Sequence, residues 1–310
     1  MYLDYFGLHE APFSLTPDTS FFFSYGHYRD ALNTLLVALR AGEGFIKVSG
    51  EVGTGKTLLC RKLINTLDDD FYTAYIPNPY LTPPALALAL AEELGLELPR
   101  NLGQHRTIKE ITRRLIALAG EEKRVVLCID EAQAMPDETL EALRLLTNLE
   151  TEKRKLLQVV LFGQPELDQR LKRPSVRQLR QRITFSYELQ PLDYDGLEAY
   201  IAHRLLVAGS CGEVVFTPKA LEHLLRGSRG IPRLVNVLAH KALMLAYGQG
   251  AKSINHHHVI PAIKDTEDAG GPRFRWRRLF RFSAVAGAIG GSLLGLLWWV
   301  WPWGAGGKFL

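Results

Sequence analysis

Short apolar runs alternate with longer segments of helical period along most of the chain. Apolar or alternating runs, which predict β-strands, cover 45–49, 71–76, 125–129, 156–163 and 182–189. Apolar residues recur at helical spacing in 83–94, 107–119 and 137–149. Strands that alternate with helices predict an α/β fold in which helices cover both faces of a mostly parallel sheet.

Beyond Pro191 the pattern becomes entirely helical, which predicts a second, smaller domain. Its helices are predicted at 195–207, 218–225, 232–247 and 257–264. The adjacent histidines 256–258 resemble a metal-binding tract. Neighbouring positions on a helix point to different faces, however, so these histidines favour the start of a helix.

Residues 283–301 form an uncharged, apolar stretch of 19 residues, close to the roughly 20 that cross a bilayer as a helix. Five arginines precede this stretch and one lysine follows it, and tryptophans gather at its far end. Such flanks are typical of headgroup anchors, so a transmembrane helix is favoured over a buried core helix. The positive-inside rule then predicts that residues 1–282 are cytoplasmic. The N-terminus has no signal-peptide pattern.

The composition is that of a folded protein, with 47% hydrophobic and 23% charged residues in 310, which excludes collagen-like, low-complexity and disulfide-scaffold classes. Six of the 37 basic residues and none of the 33 acidic residues lie in 271–310. Residues 1–270 therefore carry a small net negative charge, which argues against nucleic acid as a partner. The three cysteines, Cys60, Cys128 and Cys211, fit buried thiols in a reducing compartment.

A glycine-rich segment follows the first predicted strand and precedes a segment of helical spacing. It consists of Gly50, Glu51, Val52, Gly53, Thr54, Gly55, Lys56 and Thr57. This is the G-x-x-x-x-G-K-[ST] pattern in its required context of strand, loop and helix. Its backbone N–H groups can surround phosphates, Lys56 can reach the β- and γ-oxygens, and Thr57 can place its hydroxyl on Mg²⁺.

A second part of the same site is predicted where the apolar strand 125–129 ends in Asp130 and Glu131. Asp130 would hold the Mg²⁺ shell, and Glu131 would act as general base for the attacking water. An Asp-Glu pair at a strand end is often only a solvated loop. Its place after a phosphate-binding loop instead favours an ATP or GTP hydrolase.

Together with the helical lid, these two motifs resemble those of AAA+ ATPases. Four segments narrow the resemblance: YFGLHEAPFSLTPDTSFFF, KLLQVVLFGQPELD, RQLRQRITF and SRGIPRLVNVLAHKALMLAYG. Over about residues 1–268 they resemble the ExeA/GspA-like ATPases of bacterial secretion and pilus systems, and most of all the branch that serves mannose-sensitive haemagglutinin (MSHA) pili, which are type IV pili. The resemblance implies an AAA+ P-loop NTPase fold with a C-terminal helical lid, and ATP with Mg²⁺ as the bound nucleotide and ion.

Further site residues are implied by this resemblance alone. Gln164 is similar to the sensor 1 position, which orients the attacking water, although a glutamine before Pro165 can also cap a turn. Arg180 and Arg182 match the region of the arginine finger, which reaches a neighbouring subunit, and either of them can serve. Arg233 resembles sensor 2, which leans from the lid onto the nucleotide. The competing interpretations are solvated surface charges for the former pair and a structural helix start for Arg233.

The implied organisation has six parts: an N-terminal aromatic segment (1–28), the ATPase core (29–190), the lid (191–268), a basic linker (269–282), the membrane helix (283–301) and a short tail (302–310). The N-terminal aromatics are predicted to pack against the ATPase core, and a place at the border of the adenine pocket is the less favoured alternative. They are Tyr2, Tyr5, Phe6, Phe13, Phe21, Phe22 and Phe23.

The predicted function is ATP hydrolysis by a homo-oligomer, anchored by one span in a bacterial inner membrane, that assembles or remodels an envelope machine. Partners would be pilus or secretion assembly proteins. ExeA-type proteins carry a periplasmic peptidoglycan-binding domain after the span, whereas this sequence stops at Leu310, so MSHA-type pilus biogenesis is ranked above type II secretion. A DNA-transposition helper ATPase and a nucleotide-gated scaffold with negligible turnover are ranked below both.

Overall fold

The computed structural model describes residues 2–99, 102–150, 155–210, 212 and 215–270. The strands are β1 Phe45–Gly50, β2 Phe71–Ile76, β3 Arg124–Ile129, β4 Leu157–Gly163, β5 Ile183–Leu189, β6 Val215–Phe216 and β7 Ser253–Ile254. The helices are α1 Tyr2–Tyr5, α2 His27–Arg40, α3 Lys56–Thr66, α4 Pro83–Glu93, α5 Gln104–Gly120, α6 Asp137–Leu146, α7 Pro165–Leu171, α8 Arg177–Arg182, α9 Tyr194–Val207, α10 Pro218–Ser228, α11 Pro232–Gly248 and α12 His256–Lys264.

The first five strands form one parallel sheet in the order β2-β3-β4-β1-β5. Strand β1 lies between β4 and β5, and every residue of β1 and β4 is buried. Strands covered on both faces are mostly apolar, and the polar side chains that these two strands do carry, Lys47, Ser49 and Gln158, are buried as well. The predicted α/β class and parallel sheet are thereby confirmed.

Two hydrophobic clusters cover the two faces of the sheet. One contains the inner faces of α4, α5 and α6, with Leu86, Leu90, Ile111, Leu115, Leu140 and Leu143 fully buried. The other joins α2 and α3 to the lid helices α9 to α12. Because this second cluster is shared, the residues up to Ala269 form one compact unit rather than two separate ones.

Most predicted elements are found within a few residues of their expected bounds, and the differences have local causes. The helix predicted at 137–149 ends at Leu146. The strand predicted from Arg182 begins at Ile183, because Arg182 completes α8. Beyond Pro191 the chain is not entirely helical: β6 and β7 pair as a small parallel sheet. Strands of two residues are too short to show a period in the sequence.

The predicted helix start at the histidine tract is confirmed. The side chain of Asn255 caps α12, and the Nδ1 atom of His258 accepts the backbone N–H of Asn255, which completes a capping box. The Nε2 atom of His258 lies 3.1 Å from the side-chain oxygen of Gln249. Among the described residues, no group of three or more histidines, cysteines or acids could hold a metal ion.

The N-terminal segment (residues 2–23) packs against the ATPase core, as predicted, and also against the lid. The ring of Tyr5 lies edge-on to Tyr247 of α11 at 5.3 Å between centroids. On the core side, the ammonium group of Lys62 lies 5.8 Å from the centroid of the Phe22 ring. The segment therefore bridges the two parts of the molecule.

In the part of the chain that the structure describes, no helix has the length and apolar character needed to cross a membrane. The span predicted at 283–301 and the tail predicted at 302–310 lie outside the described residues, as does Cys211. Cys60 and Cys128 are buried free thiols, as predicted.

Candidate nucleotide-binding site

A cavity of about 290 Å³ opens where the glycine-rich loop, the N-terminal segment and the lid meet. Its walls comprise residues 14–18, residues 52, 53 and 55–58, and the side chains of Glu131, Gln164, Tyr200, Arg204, Pro232, Arg233 and Asn236. The N-terminal segment, the glycine-rich loop, the ends of two core strands and the lid thus contribute to one site.

The loop after β1 has the conformation that its sequence predicts. Gly53 and Gly55 have φ angles of 83° and 90°, a backbone region that residues other than glycine rarely adopt. The hydroxyl of Tyr28 in α2 donates to the carbonyl of Thr54 at 2.9 Å and thereby anchors the loop to α2. Burial raises the pKa of Tyr28, which keeps this hydroxyl a donor.

Lys56 begins α3, and its side chain folds back over the loop. Its Nζ atom donates to the carbonyls of Gly50 and Glu51 at 2.8 and 2.9 Å. Burial lowers the pKa of Lys56, and the nearby carboxylates of Glu131 and Asp130 oppose this effect. The ammonium group is therefore held at the loop, where the phosphates are expected.

Thr57 and Asp130 come together although they are 73 residues apart, with the Thr57 hydroxyl donating to the Asp130 Oδ2 atom at 2.6 Å. Burial raises the pKa of Asp130, while the hydrogen bonds from Thr57 and from the backbone N–H of Glu131 act in the opposite direction. A hydroxyl and a carboxylate are hard oxygen donors, so this pair fits the predicted Mg²⁺.

Glu131 and Gln164 lie at the ends of the neighbouring strands β3 and β4. The Nε2 atom of Gln164 donates to Glu131 Oε2 at 3.0 Å. Glu131 itself has a φ of 50°, an uncommon backbone conformation for a residue with a side chain. A second amide, from Gln133, also donates to Glu131 Oε2. The structure thus places the two predicted catalytic residues within hydrogen-bond distance of each other.

Arg233 lies on the lid side of the cavity, at the start of α11. Its backbone N–H donates to the carbonyl of Gly53 at 3.1 Å. A Cβ atom at Gly53 would lie 2.7 Å from the Cβ of Arg233, so glycine is needed for this contact. Gly230 is constrained in the same way, since a Cβ there would lie 2.1 Å from the carbonyl oxygen of Leu192. The lid therefore rests directly on the phosphate-binding loop.

Arg180 and Arg182 are not brought to the cavity. Both belong to α8, where Arg180 is exposed and Arg182 is partly buried. The Nη1 atom of Arg182 lies 3.4 Å from the hydroxyl of Thr147. A finger that serves a neighbouring subunit would lie outside its own cavity, so this placement agrees with the prediction without testing it.

Three lid residues in the cavity wall were missed from the sequence: Tyr200, Arg204 and Asn236. Arg204 is only 4% exposed. It donates to the carbonyls of Pro12 and Ser14, and its guanidinium lies 4.3 Å from the Phe21 ring centroid. It thereby holds the N-terminal segment over the cavity. The sequence around Arg204 shows only an ordinary helical pattern. It does not indicate a role in the cavity, because the partners of Arg204 lie about 190 residues away.

Comparison with known proteins agrees with this geometry. Residues 39–171 match the family described as AAA domain. General secretion pathway protein A of Aeromonas hydrophila is 42% identical over 305 residues, which are 97% of this chain and 54% of that protein. The chain therefore spans about half the length of this curated relative.

Solved structures share the fold at lower identity. The Aeropyrum pernix ORC2 protein is 18% identical with a TM-score of 0.59, covering 80% of this chain and 71% of its own. Cdc6p of Pyrobaculum aerophilum is 20% identical with a TM-score of 0.61, covering 80% and 70%. The Thermotoga maritima RuvB Holliday junction branch migration motor is 20% identical with a TM-score of 0.54, covering 85% and 80%.

The fold and the site together define the class: an α/β AAA+ protein with a P-loop nucleotide site. The matches give the chain an AAA domain at residues 39–171 and a similarity to general secretion pathway protein A, which supports an ATP-hydrolysing enzyme.

Proposed function

We propose that this protein hydrolyses ATP to drive the assembly or remodelling of a bacterial envelope machine. One observation carries the enzymatic part: the Glu131 carboxylate and the Gln164 amide are bonded to each other at the cavity, beside the Lys56 loop and the Thr57–Asp130 pair. A general base, a polar orienting group, a phosphate cradle and a metal-ligating pair are the parts that nucleotide hydrolysis requires.

Binding would use the loop from Gly50 to Thr57. Its backbone N–H groups would surround the phosphates, and the Lys56 ammonium would exchange the carbonyls of Gly50 and Glu51 for β- and γ-phosphate oxygens. Thr57 and Asp130 would hold Mg²⁺, which would neutralise phosphate charge as the reaction proceeds.

In the hydrolytic step, a water oxygen attacks the γ-phosphorus and its proton passes to Glu131. The bond between the γ-phosphorus and the bridging oxygen breaks, and ADP and phosphate are released. Gln164 would orient the water. Arg233 would bind phosphate from the lid, so that the lid senses whether the γ-phosphate is present. Arg180 or Arg182 of an adjoining protomer would stabilise the transition-state charge.

Two candidate machines follow from different observations. The similarity to general secretion pathway protein A over 97% of this chain favours secretion assembly proteins as partners. The four sequence segments described above instead resemble the MSHA pilus branch of the family, typified by MshM. Both machines belong to the cell envelope, and the span predicted at 283–301 would anchor the ATPase at the inner membrane with its site in the cytoplasm.

The experiment that tests this proposal uses full-length Glu131→Gln protein, which should bind ATP and turn it over slowly. The variant is loaded with ATP in native membranes and cross-linked, and its partners are identified by mass spectrometry. Lys56→Ala, which should not reach the ATP state, is the matched control. ATP-dependent recovery of secretion proteins supports the first machine, and recovery of pilus proteins the second. Recovery of DNA-transposition proteins, or of nothing but the ATPase, would overturn the envelope role.

A further inference from the structure

Gln133 is a residue in the hydrolytic site that the sequence patterns did not single out. It lies in the 3-10 turn Ala132–Ala134, directly after β3, and is partly buried. Its side chain bonds in two directions. The Nε2 atom donates to Glu131 Oε2, and the Oε1 atom accepts the backbone N–H of Gln164 at 2.9 Å. Gln133 therefore connects the ends of strands β3 and β4.

The Glu131 carboxylate needs partners that hold it in one orientation. With a φ of 50°, Glu131 leaves the strand in an uncommon conformation, and its side chain has several rotatable bonds. Two amides, from Gln133 and Gln164, donate to the same carboxylate oxygen, Oε2. In the part of the chain that the structure describes, no hydrogen bond engages the other carboxylate oxygen, Oε1. Fixing one carboxylate oxygen defines where the other oxygen points.

The turn that carries Gln133 is itself braced from α7. The Nη1 atom of Arg170 donates to the Gln133 carbonyl at 2.5 Å. The other end of the Arg170 guanidinium pairs with Asp137 at the start of α6. Asp137 also accepts the hydroxyl of Ser175 at 3.0 Å. The position of Gln133 is therefore set by partners on two helices, which is how an outer group can hold a catalytic side chain in place.

We propose that Gln133 is a positioning residue for ATP hydrolysis, which holds the Glu131 carboxylate beside Gln164 so that its free oxygen faces the attacking water. This rests on the proposed ATP hydrolysis but adds a role for a residue outside the two sequence motifs. Because a displacement of about 1 Å can cost about a hundredfold in rate, loss of this bridge should lower turnover without weakening ATP binding.

The test uses two variants. Gln133→Met keeps the length of the side chain and removes both hydrogen bonds. Gln133→Glu keeps the shape of the side chain and places a second carboxylate next to that of Glu131. Turnover should fall about tenfold in Gln133→Met and further in Gln133→Glu. The dissociation constant for ATP, measured by a fluorescent analogue, should change less than about threefold. The melting temperature of each variant is measured alongside, and a variant that fails to fold is replaced by the other.

A double-variant experiment separates positioning from a general structural role. In a Glu131→Gln background no carboxylate remains to be positioned, so adding Gln133→Met should leave the residual single-turnover rate unchanged. Wild-type turnover in Gln133→Met, an equal loss in both backgrounds, or a large loss of ATP affinity would overturn the inference. The enzymatic part of the proposed function is judged separately, since it fails if the unmodified protein does not hydrolyse ATP or if Glu131→Gln hydrolyses it normally.

Discussion

Two groups of residues with predicted roles in hydrolysis differ in how far a single chain assembles them. The phosphate-side cluster consists of Lys56, Thr57, Asp130, Glu131 and Gln164. Hydrogen bonds in one protomer join its last four members, and Lys56 is bonded to the loop carbonyls beside them. The arginines of α8 lie outside the cavity, and Arg180 is exposed. The first group is brought together within one chain, whereas the second lies away from the cavity of its own chain.

This difference suggests a division between binding and catalysis. Groups that hold ground-state phosphate can be supplied by one chain and arranged in advance. A group that stabilises only the transition state can come from a neighbour, which makes turnover depend on assembly. On this view an isolated protomer binds ATP but hydrolyses it slowly, and the proposed homo-oligomer is the active form.

The largest effect should come from the phosphate-side cluster. Lys56→Ala removes the ammonium group that Gly50 and Glu51 now hold at the loop, and it should weaken ATP binding at least about a hundredfold, or about 2.7 kcal/mol. Isothermal titration with ATP and Mg²⁺ checks this. Lys109→Ala, at an exposed position of α5, is the control and should bind normally. Tight binding by Lys56→Ala would refute the assigned site.

The second prediction tests whether the α8 arginines act between subunits. Arg180→Ala or Arg182→Ala should lower turnover about a thousandfold while ATP affinity stays within about threefold. Arg106→Ala, another exposed arginine, should do neither.

Mixing makes that comparison sharper. The arginine variant and Glu131→Gln are each nearly inactive, but a mixed oligomer contains interfaces with an intact glutamate from one protomer and an intact arginine from the next. Steady-state hydrolysis should therefore recover in the mixture. No recovery, together with normal oligomers by light scattering, would show that the arginine serves its own protomer or neither.

The extent to which these two groups could be predicted from sequence also differs, for a physical reason. The loop, Thr57, Asp130 and Glu131 follow from local patterns, since each depends on a strand end and a few neighbouring residues, and the strand at 71–76 was predicted with its observed bounds. Arg204 and Asn236 reach the cavity by contacts with Ser14, near the other end of the chain. No local pattern encodes such a contact.

Short and irregular elements escaped prediction for a related reason. The helices α7 and α8 have seven and six residues, too few to show a helical period, and they fold where α6 and the sheet support them. Helix α2 was not predicted either, although Tyr28 on it fixes the loop. The roles of Gln164, Arg180, Arg182 and Arg233 came from resemblance, and remain predictions.

A smaller effect is expected at the lid. Arg233 faces the cavity from α11, and its backbone already bonds to Gly53 of the loop. Arg233→Ala should weaken ATP binding about tenfold, the value of one charge-assisted hydrogen bond, and should weaken ADP binding less if the side chain binds the γ-phosphate. Titrations with both nucleotides check this. Arg226→Ala, exposed on α10, is the matched control, and equal losses for ATP and ADP would argue against γ-phosphate sensing.

The smallest effect is expected at Asp137, which bonds to Arg170 on one side and to Ser175, just before α8, on the other. The hydrogen bond from Arg170 holds the pKa of Asp137 below its ordinary 3.8; burial opposes this, while Ser175 and Arg173 add to it. A lowered folded-state pKa stabilises the fold above about pH 3.8, and this contribution is lost as the pH falls through the folded pKa.

Asp137→Asn should therefore lower the free energy of unfolding by less than about 1 kcal/mol at pH 7, and the difference from wild type should shrink towards pH 3. Urea unfolding across this range measures it, with Asp69→Asn, at an exposed position, as control. A difference that stays constant with pH would mean that Asp137 acts by packing rather than by charge.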